Sequence, residues 1–327
     1  MKINLYYHLA SNTEWNIAAV FHGLQSRLKE SYPGFQFNCV DSNLKWTSPE
    51  GHLGAGTKHG PQTMIVENAT NKKHFVISYW DKLNDIIVSD NVYSALSPTR
   101  ISEPQNIGDR VSIFTSVGTH TDDCYFKPLK KEYIPISYLT MTGNIEKKIE
   151  HFYNQKNKRE HLAKLTFRGQ LYGFRQHLKS DIRFNVNSRK DASLDQDGYM
   201  DELNGSHLNF SINGSGEICH RDIEILGLGT ALFRTKLVAK FHNELIPDYH
   251  YISVNFDDIK NEKYKPYSSE FYKALSDKIH DRFNEVKDDR DFIKFIGENG
   301  RKWYLENGTV ISNVNIILKL LNLSRLE

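Results

Sequence analysis

The chain has 327 residues, 39% hydrophobic and 25% charged, with 42 Lys and Arg against 40 Asp and Glu for a net charge of +2. That length suffices for two domains with buried cores, and the near balance of charge excludes a general nucleic-acid coating protein while leaving room for a local basic groove. Cys39, Cys124 and Cys219 are too few and too scattered for a disulfide framework or a zinc site.

Lys2 to His8 alternates as a strand, Glu14 to Lys29 carries Ile17, Ala18, Phe21, Leu24 and Leu28 at helical spacing, and Phe35 to Val40 alternates again. This predicts a β-α-β opening. The N-terminus lacks the apolar core and cleavage site of a signal peptide, and no run reaches the roughly 20 apolar residues of a membrane span. A cytoplasmic protein of a bacterium or a phage-infected host cell is the expectation. The Gly- and His-rich run Gly51 to Gly60 has no strand feeding it and no clear helix leaving it, so it reads as a lid or acceptor loop and not as a dinucleotide fingerprint.

Thr63 to Glu67, His74 to Tyr79 and Val111 to Val117 read as strands, with Asp81 after the second and His120 and Asp122 after the third. Ligands of open α/β sheets gather beyond the carboxyl ends of the strands. These three residues are therefore candidates to deprotonate an acceptor hydroxyl, and Asp81 has a competing reading as a helix N-cap. Lys127 to Ile136, with two prolines and three lysines, reads as a connector. It divides the chain into residues 1–135, an acceptor-side domain, and residues 136–327, a donor-side domain.

Strands alternate with helices again in the second half. Leu162 to Phe167 reads as a strand ending in Arg168-Gly169, Leu171 to Lys179 as a helix carrying Arg175, Ile182 to Val186 as a strand, and Leu203 to Ile212 as the approach to a glycine turn. That turn, Asn213-Gly214-Ser215-Gly216, lets backbone N–H groups approach a ligand at the start of a helix. Glu217, His220, Arg221 and Glu224 then fall on one polar stripe, with Cys219, Ile223 and Leu226 opposite and a second glycine turn at Gly227 and Gly229. An ordinary solvated helix face is the competing reading. Ala231 to Arg234 and Tyr249 to Val254 read as strands; Ser268 to Val286, Asp291 to Tyr304 and Ser312 to Leu321 read as helices. The fold expected is α/β, two doubly wound Rossmann-like domains.

The series Phe167-Arg168-Gly169, Arg175, Gly214 to Glu224, Gly229-Thr230 and Leu245 to Val254 resembles the donor-binding half of the capsule-associated and protein O-glucosyltransferase family. The resemblance covers Lys164 to Asp258, about a third of the chain. It implies a GT-B architecture, two domains facing a cleft, a UDP-sugar as co-substrate, no bound cofactor and no bound metal. It also implies that Glu224 contacts ribose hydroxyls. The N-terminal half shows no such match, so the base and the acceptor do not carry over.

Arg168 and Arg175 can point their planar forks at one diphosphate, and the Gly214, Ser215, Gly216 and Glu217 turn can add N–H donors and a helix dipole. Each arginine has an alternative as a structural ion pair, and Arg221 can reach the diphosphate or pair with Glu217 or Glu224. Metal-dependent transfer would need a carboxylate pair such as Asp195-Gln196-Asp197 or Asp289-Arg290-Asp291. Such triplets arise by chance among 40 acids. The echo of a calcium loop at Ser193 to Asn204 fails at its first and last ligands. The expected activity is transfer of a sugar to an acceptor hydroxyl, on a hydroxymethylated base of phage DNA or on a surface polysaccharide or protein glycan. A binding protein that keeps the cleft without turnover is the alternative of another class.

Overall fold

The fold is described from a computed structural model, which covers residues 2–7, 16–41, 47–48, 51–52, 63–68, 70, 74–78, 92–97, 111–112, 125–126, 133–135, 143–155, 159–160, 164–171, 174–188, 194–212, 218–237, 241–260 and 268–320. The expected helix after Trp80, the strand beyond Ser112 and the lid loop beyond His52 lie outside the described residues.

The β-α-β opening forms as β1 (Lys2–Tyr7), α1 (Asn16–Ser31) and β2 (Gln36–Asp41), with β1 and β2 parallel. Val20, Leu24 and Leu28 recur every four residues and are all buried, the one-sided stripe of a helix laid against a core. A short antiparallel pair follows, β3 (Thr47–Ser48) with β4 (Gly51–His52). Next come β5 (Thr63–Asn68), β6 (His74–Ser78), β7 (Val92–Ser97), the short antiparallel pair β8 (Val111–Ser112) and β9 (Tyr125–Phe126), and β10 (Tyr133–Pro135). Six strands form one sheet in the order β10-β7-β6-β5-β1-β2.

This sheet departs from the expected doubly wound parallel form. β5 runs antiparallel to both β1 and β6, because only residues 69–73 join β5 to β6, too few for a crossover helix. The expected connector also contributes a strand, since Tyr133–Pro135 pairs in parallel with β7.

The second half begins with α2 (Gly143–Asn154) and continues through β11 (Leu165–Gly169), α3 (Phe174–Lys179), β12 (Phe184–Ser188), α4 (Gln196–Asn204), β13 (Leu208–Phe210), α5 (His220–Leu228), β14 (Ala231–Thr235) and β15 (Ile252–Val254). β11 and β12 are parallel, as are β13, β14 and β15. β11 lies beside β13, and a parallel bridge between Glu160 and Ser206 at their leading ends shows that the two run the same way. β11 and β12 form a two-stranded sheet and β13, β14 and β15 a separate three-stranded one, with β11 set beside β13, so that the chain steps away from this seam on both sides. Ligands of α/β sheets sit at such a point, beyond the carboxyl ends of the strands.

Every residue of β13, β14 and β15 is buried, as in a parallel sheet covered on both faces. Phe210, Phe233 and Ile252 pack with Phe271, Leu275 and Ile279 of α7 (Ser269–Val286) in one core. Ile223 and Leu226 of α5 pack with Ile149 of α2 and Trp303 of α8 (Arg290–Asn307) in the other. The short α6 (Asp257–Lys260) follows β15, and α9 (Val310–Leu320) ends the described chain. α9 returns to α1 so closely that a Cβ built at Gly23 would lie 2.8 Å from Val314 Cγ2. Among the described residues no helix is long and apolar enough to cross a membrane.

With β7 and α6, α4 is among the elements that the sequence reading missed. Asp195 caps it, its carboxylate accepting from the Gly198 N–H at 2.8 Å. Asp289 caps α8 in the same way, accepting from the Phe292 N–H at 2.9 Å. Each Asp-X-Asp triplet thus supplies a helix cap.

Candidate functional site

α5 carries the polar stripe found in the sequence, but the stripe does not face solvent. All residues from Arg221 to Leu228 are buried, with Arg221 9% and Glu224 5% exposed. The ordinary surface-helix reading therefore fails, because a solvated face would leave its charges in water. Cys219 is the N-cap and not a residue of the packed face; its backbone N–H donates to Asp222 Oδ2 at 2.8 Å. The same Asp222 pairs with Arg234, which is 0% exposed.

The two glycines expected to form a second turn separate in role. Gly227 lies inside α5, where an added Cβ would fall 2.8 Å from Ile149 Cγ2, so it lets α2 approach. Gly229 is the C-cap, at φ 64°, a left-handed conformation that favours glycine. Guanidinium groups meet the carbonyls at this end. Arg159 donates to Leu228 O at 2.7 Å and Gly229 O at 2.9 Å, and Arg301 donates to Gly227 O while pairing with Glu150.

The opposite end of α5 faces the carboxyl ends of β11 and β13, where Arg175 and Arg221 come together on Phe167 and Arg221 reaches the backbone carbonyl of Arg168, the next residue of β11. The guanidinium carbons of Arg175 and Arg221 lie 4.9 Å and 4.8 Å from the Phe167 ring centroid. Arg168 sits within β11 at its carboxyl end and makes a forked ion pair with Glu202, with Nε at 2.9 Å and Nη2 at 2.6 Å from Oε2. Arg175 donates to Ile212 O at 2.6 Å, just past β13, and to Cys219 Sγ at 3.3 Å. Arg221 donates to the backbone carbonyl of Arg168 and stacks 5.3 Å from the Tyr199 ring centroid. These contacts tie the carboxyl ends of β11 and β13 to the amino end of α5.

Two acids complete the cluster. The Tyr199 hydroxyl donates to Glu224 Oε2 at 3.0 Å. Burial pushes the Glu224 carboxyl up to about 7, against a lowering by the Tyr199 hydrogen bond and the Arg221 charge. Burial likewise holds the Tyr199 phenol well above its ordinary range. The hydrogen bonds from Glu202 raise the Arg168 guanidinium still further into its charged form. Tyr199 and Glu202 both come from α4, three residues apart on one helix face. Sequence reading missed both. The cap at Asp195 followed by Met200 and Leu203 is the signal that could have found their helix.

His220 opens α5, half-buried. Gly214, Ser215, Gly216 and Glu217 lie outside the described residues, as do Asp81, His120 and Asp122. The described residues on either side of 213–217, Ile212 and Ile218, are both buried. Among the described residues no three His, Cys, Asp or Glu side chains group as metal ligands.

No protein-family model matches the chain, and no curated protein matches it. Solved structures resemble it at a distance, among them these three. The N-terminal domain of trehalose-6-phosphate phosphatase from Candida albicans is 10% identical, with 72% of this chain and 58% of that one covered and a TM-score of 0.35. A glycosyltransferase from Rickettsia africae is 14% identical over 57% of this chain and 47% of that one, TM-score 0.31. HepE from Anabaena, solved with UDP and glucose, is 14% identical over 58% of this chain and 56% of that one, TM-score 0.32. The chain thus spans about half the length of these proteins. A glycosyltransferase is among its structural neighbours. The shared geometry is loose, and the functional assignment rests on this chain's own residues.

Proposed function

We propose that the chain is a glycosyltransferase of GT-B type that moves a sugar from a nucleotide-diphosphate donor, a UDP-sugar, to an acceptor hydroxyl. The observation that carries this is the meeting of Arg175, Arg221 and the Arg168 backbone where the carboxyl ends of β11 and β13 reach the amino end of α5. Guanidinium forks suit phosphate oxygens, and the developing charge of a leaving diphosphate is what such a cluster stabilises. In this reading Glu224 meets ribose hydroxyls, His220 and the Gly214, Ser215, Gly216, Glu217 bend line the donor, and residues 136–327 form the donor lobe. Residues 1–135 hold the acceptor, with Asp81, His120 and Asp122 as candidate bases. The acceptor favoured by composition is a hydroxymethylated base of phage DNA, flipped out if the DNA is duplex; a surface polysaccharide or protein is the alternative.

One observation favours a second reading, a non-catalytic nucleotide binder: Arg168 is already met by a forked carboxylate. Incubation with a panel of UDP-sugars, followed by UDP assay and mass spectrometry of hydroxymethylcytosine DNA and candidate glycans, separates the two. Slow UDP release that disappears in Arg168→Ala, with near-UV circular dichroism unchanged, supports the enzyme. UDP binding with no release from any donor and acceptor supports the binder.

A further inference from the structure

Arg168 is the more buried partner of the Arg168 to Glu202 pair. The arginine lies inside β11, its carbonyl is held by Arg221, and its side chain is 14% exposed against 28% for Glu202. α4 does not depend on Glu202 for its place. Met200, Leu203 and Asn204 are buried under it, and the Asn204 amide donates to Phe152 O at 2.7 Å. The Glu202 carboxylate can therefore swing into water, which restores its hydration, while the helix stays docked. A phosphate uses the same fork of a guanidinium as a carboxylate does, and a diphosphate brings more charge.

We propose that Glu202 is a resident carboxylate that occupies the anion position on Arg168, and that the donor diphosphate displaces it. This rests on the assignment of a nucleotide-diphosphate donor to the crevice between β11 and β13. Glu202 then acts as a threshold for binding. A weakly charged anion does not outcompete it, and a diphosphate does so at a cost in apparent affinity, because the binding-competent fraction of the protein is reduced. It also holds the Arg168 fork in one orientation while no ligand is present.

Calorimetric titration of the full chain with UDP and with inorganic pyrophosphate tests the proposal in the wild type, Glu202→Gln and Glu202→Ala. Glutamine keeps the size of the side chain and removes its charge. Both ligands are expected to bind Glu202→Gln about tenfold more tightly than the wild type, the ratio of a charge-assisted hydrogen bond to a neutral one. Should the variants fail to fold, a crystal structure of the wild type with pyrophosphate gives the answer: Glu202 turned away from Arg168 supports the proposal, and Glu202 still forked onto it overturns it. Equal or weaker UDP binding by Glu202→Gln, with the wild type binding UDP, overturns the displacement idea alone. Absence of UDP and pyrophosphate binding in every form overturns it together with the donor assignment.

Discussion

The two ends of α5 both gather arginines, and the contrast between them separates structure from function. At the carboxyl end, Arg159 and Arg301 donate to the carbonyls of Gly227, Leu228 and Gly229, where the helix dipole is negative and a cation is favoured. At the amino end, Arg221 and Arg175 lie where the dipole is positive and a cation is disfavoured. The first arrangement is complete as it stands. The second holds cations against the local field, and an anion bound there relieves the cost. The same residue type braces the carboxyl end and, under the proposed function, meets the donor at the amino end.

The largest expected effect breaks the amino end. Arg168→Ala is expected to lower UDP release at least about 100-fold, the scale on which one lost donor to a developing charge is felt. Its unfolding midpoint in urea should also fall, since the Arg168 to Glu202 pair is largely buried, and the loss of UDP release is read on the folded protein. A large loss of stability with turnover intact would reverse the assignment of the two ends.

Glu224→Gln sharpens the comparison through pH. Folding raises the Glu224 pKa from 4.5 to about 7. The native state therefore binds more protons than the unfolded chain between those values. The stability this group contributes is fully present below about pH 4.5 and is lost as pH rises through about 7, a total on the order of 3 kcal/mol. Urea titrations of the wild type at a series of pH values should show stability falling across that window, and Glu224→Gln should flatten the slope. An unchanged slope would place the proton elsewhere.

Breaking the carboxyl end should cost stability. Arg301 is 6% exposed, pairs with Glu150 and lies 4.1 Å from the Tyr153 ring centroid. Arg301→Ala is expected to destabilise the fold by about 3 kcal/mol, as removal of a buried charged partner does, with the UDP affinity of the folded protein nearly unchanged. Gly229→Ala gives the smallest effect, roughly 1–2 kcal/mol by thermal denaturation, for placing a side chain in left-handed backbone. A Cβ there also sits 3.2 Å from Tyr153 Cε2.

Local pattern made much of this protein legible. The strand and helix periods of β1, α1 and β2 need only sequence neighbours, and so do the long amphipathic helices α7 and α8. Where pattern depended on partners it misled. The hairpin of β5 and β6 turned an expected parallel sheet into a mixed one, and the polar stripe of α5 faces inward. Asn68, Asn204, Asn209 and Asn307, each of which opens an Asn-X-Ser/Thr triplet, are buried side chains. Asn204 and Asn209 donate there to backbone carbonyls of Phe152 and Leu203.

By itself the sequence determined which segments alternate or recur every three to four residues, where the chain turns, and that Arg168, Arg175 and Arg221 are arginines near glycine-bearing bends. Periodicity is a property of the local chain and survives without its partners. Only the tertiary structure decided that Arg175 and Arg221 meet on one phenylalanine, that Glu202 of an unforeseen helix holds Arg168, and that Arg159 and Arg301 close the far end of α5. Those contacts join residues many positions apart, such as Arg168 with Glu202 and Arg301 with Gly227, and their strength comes from burial and fixed geometry that no linear pattern records.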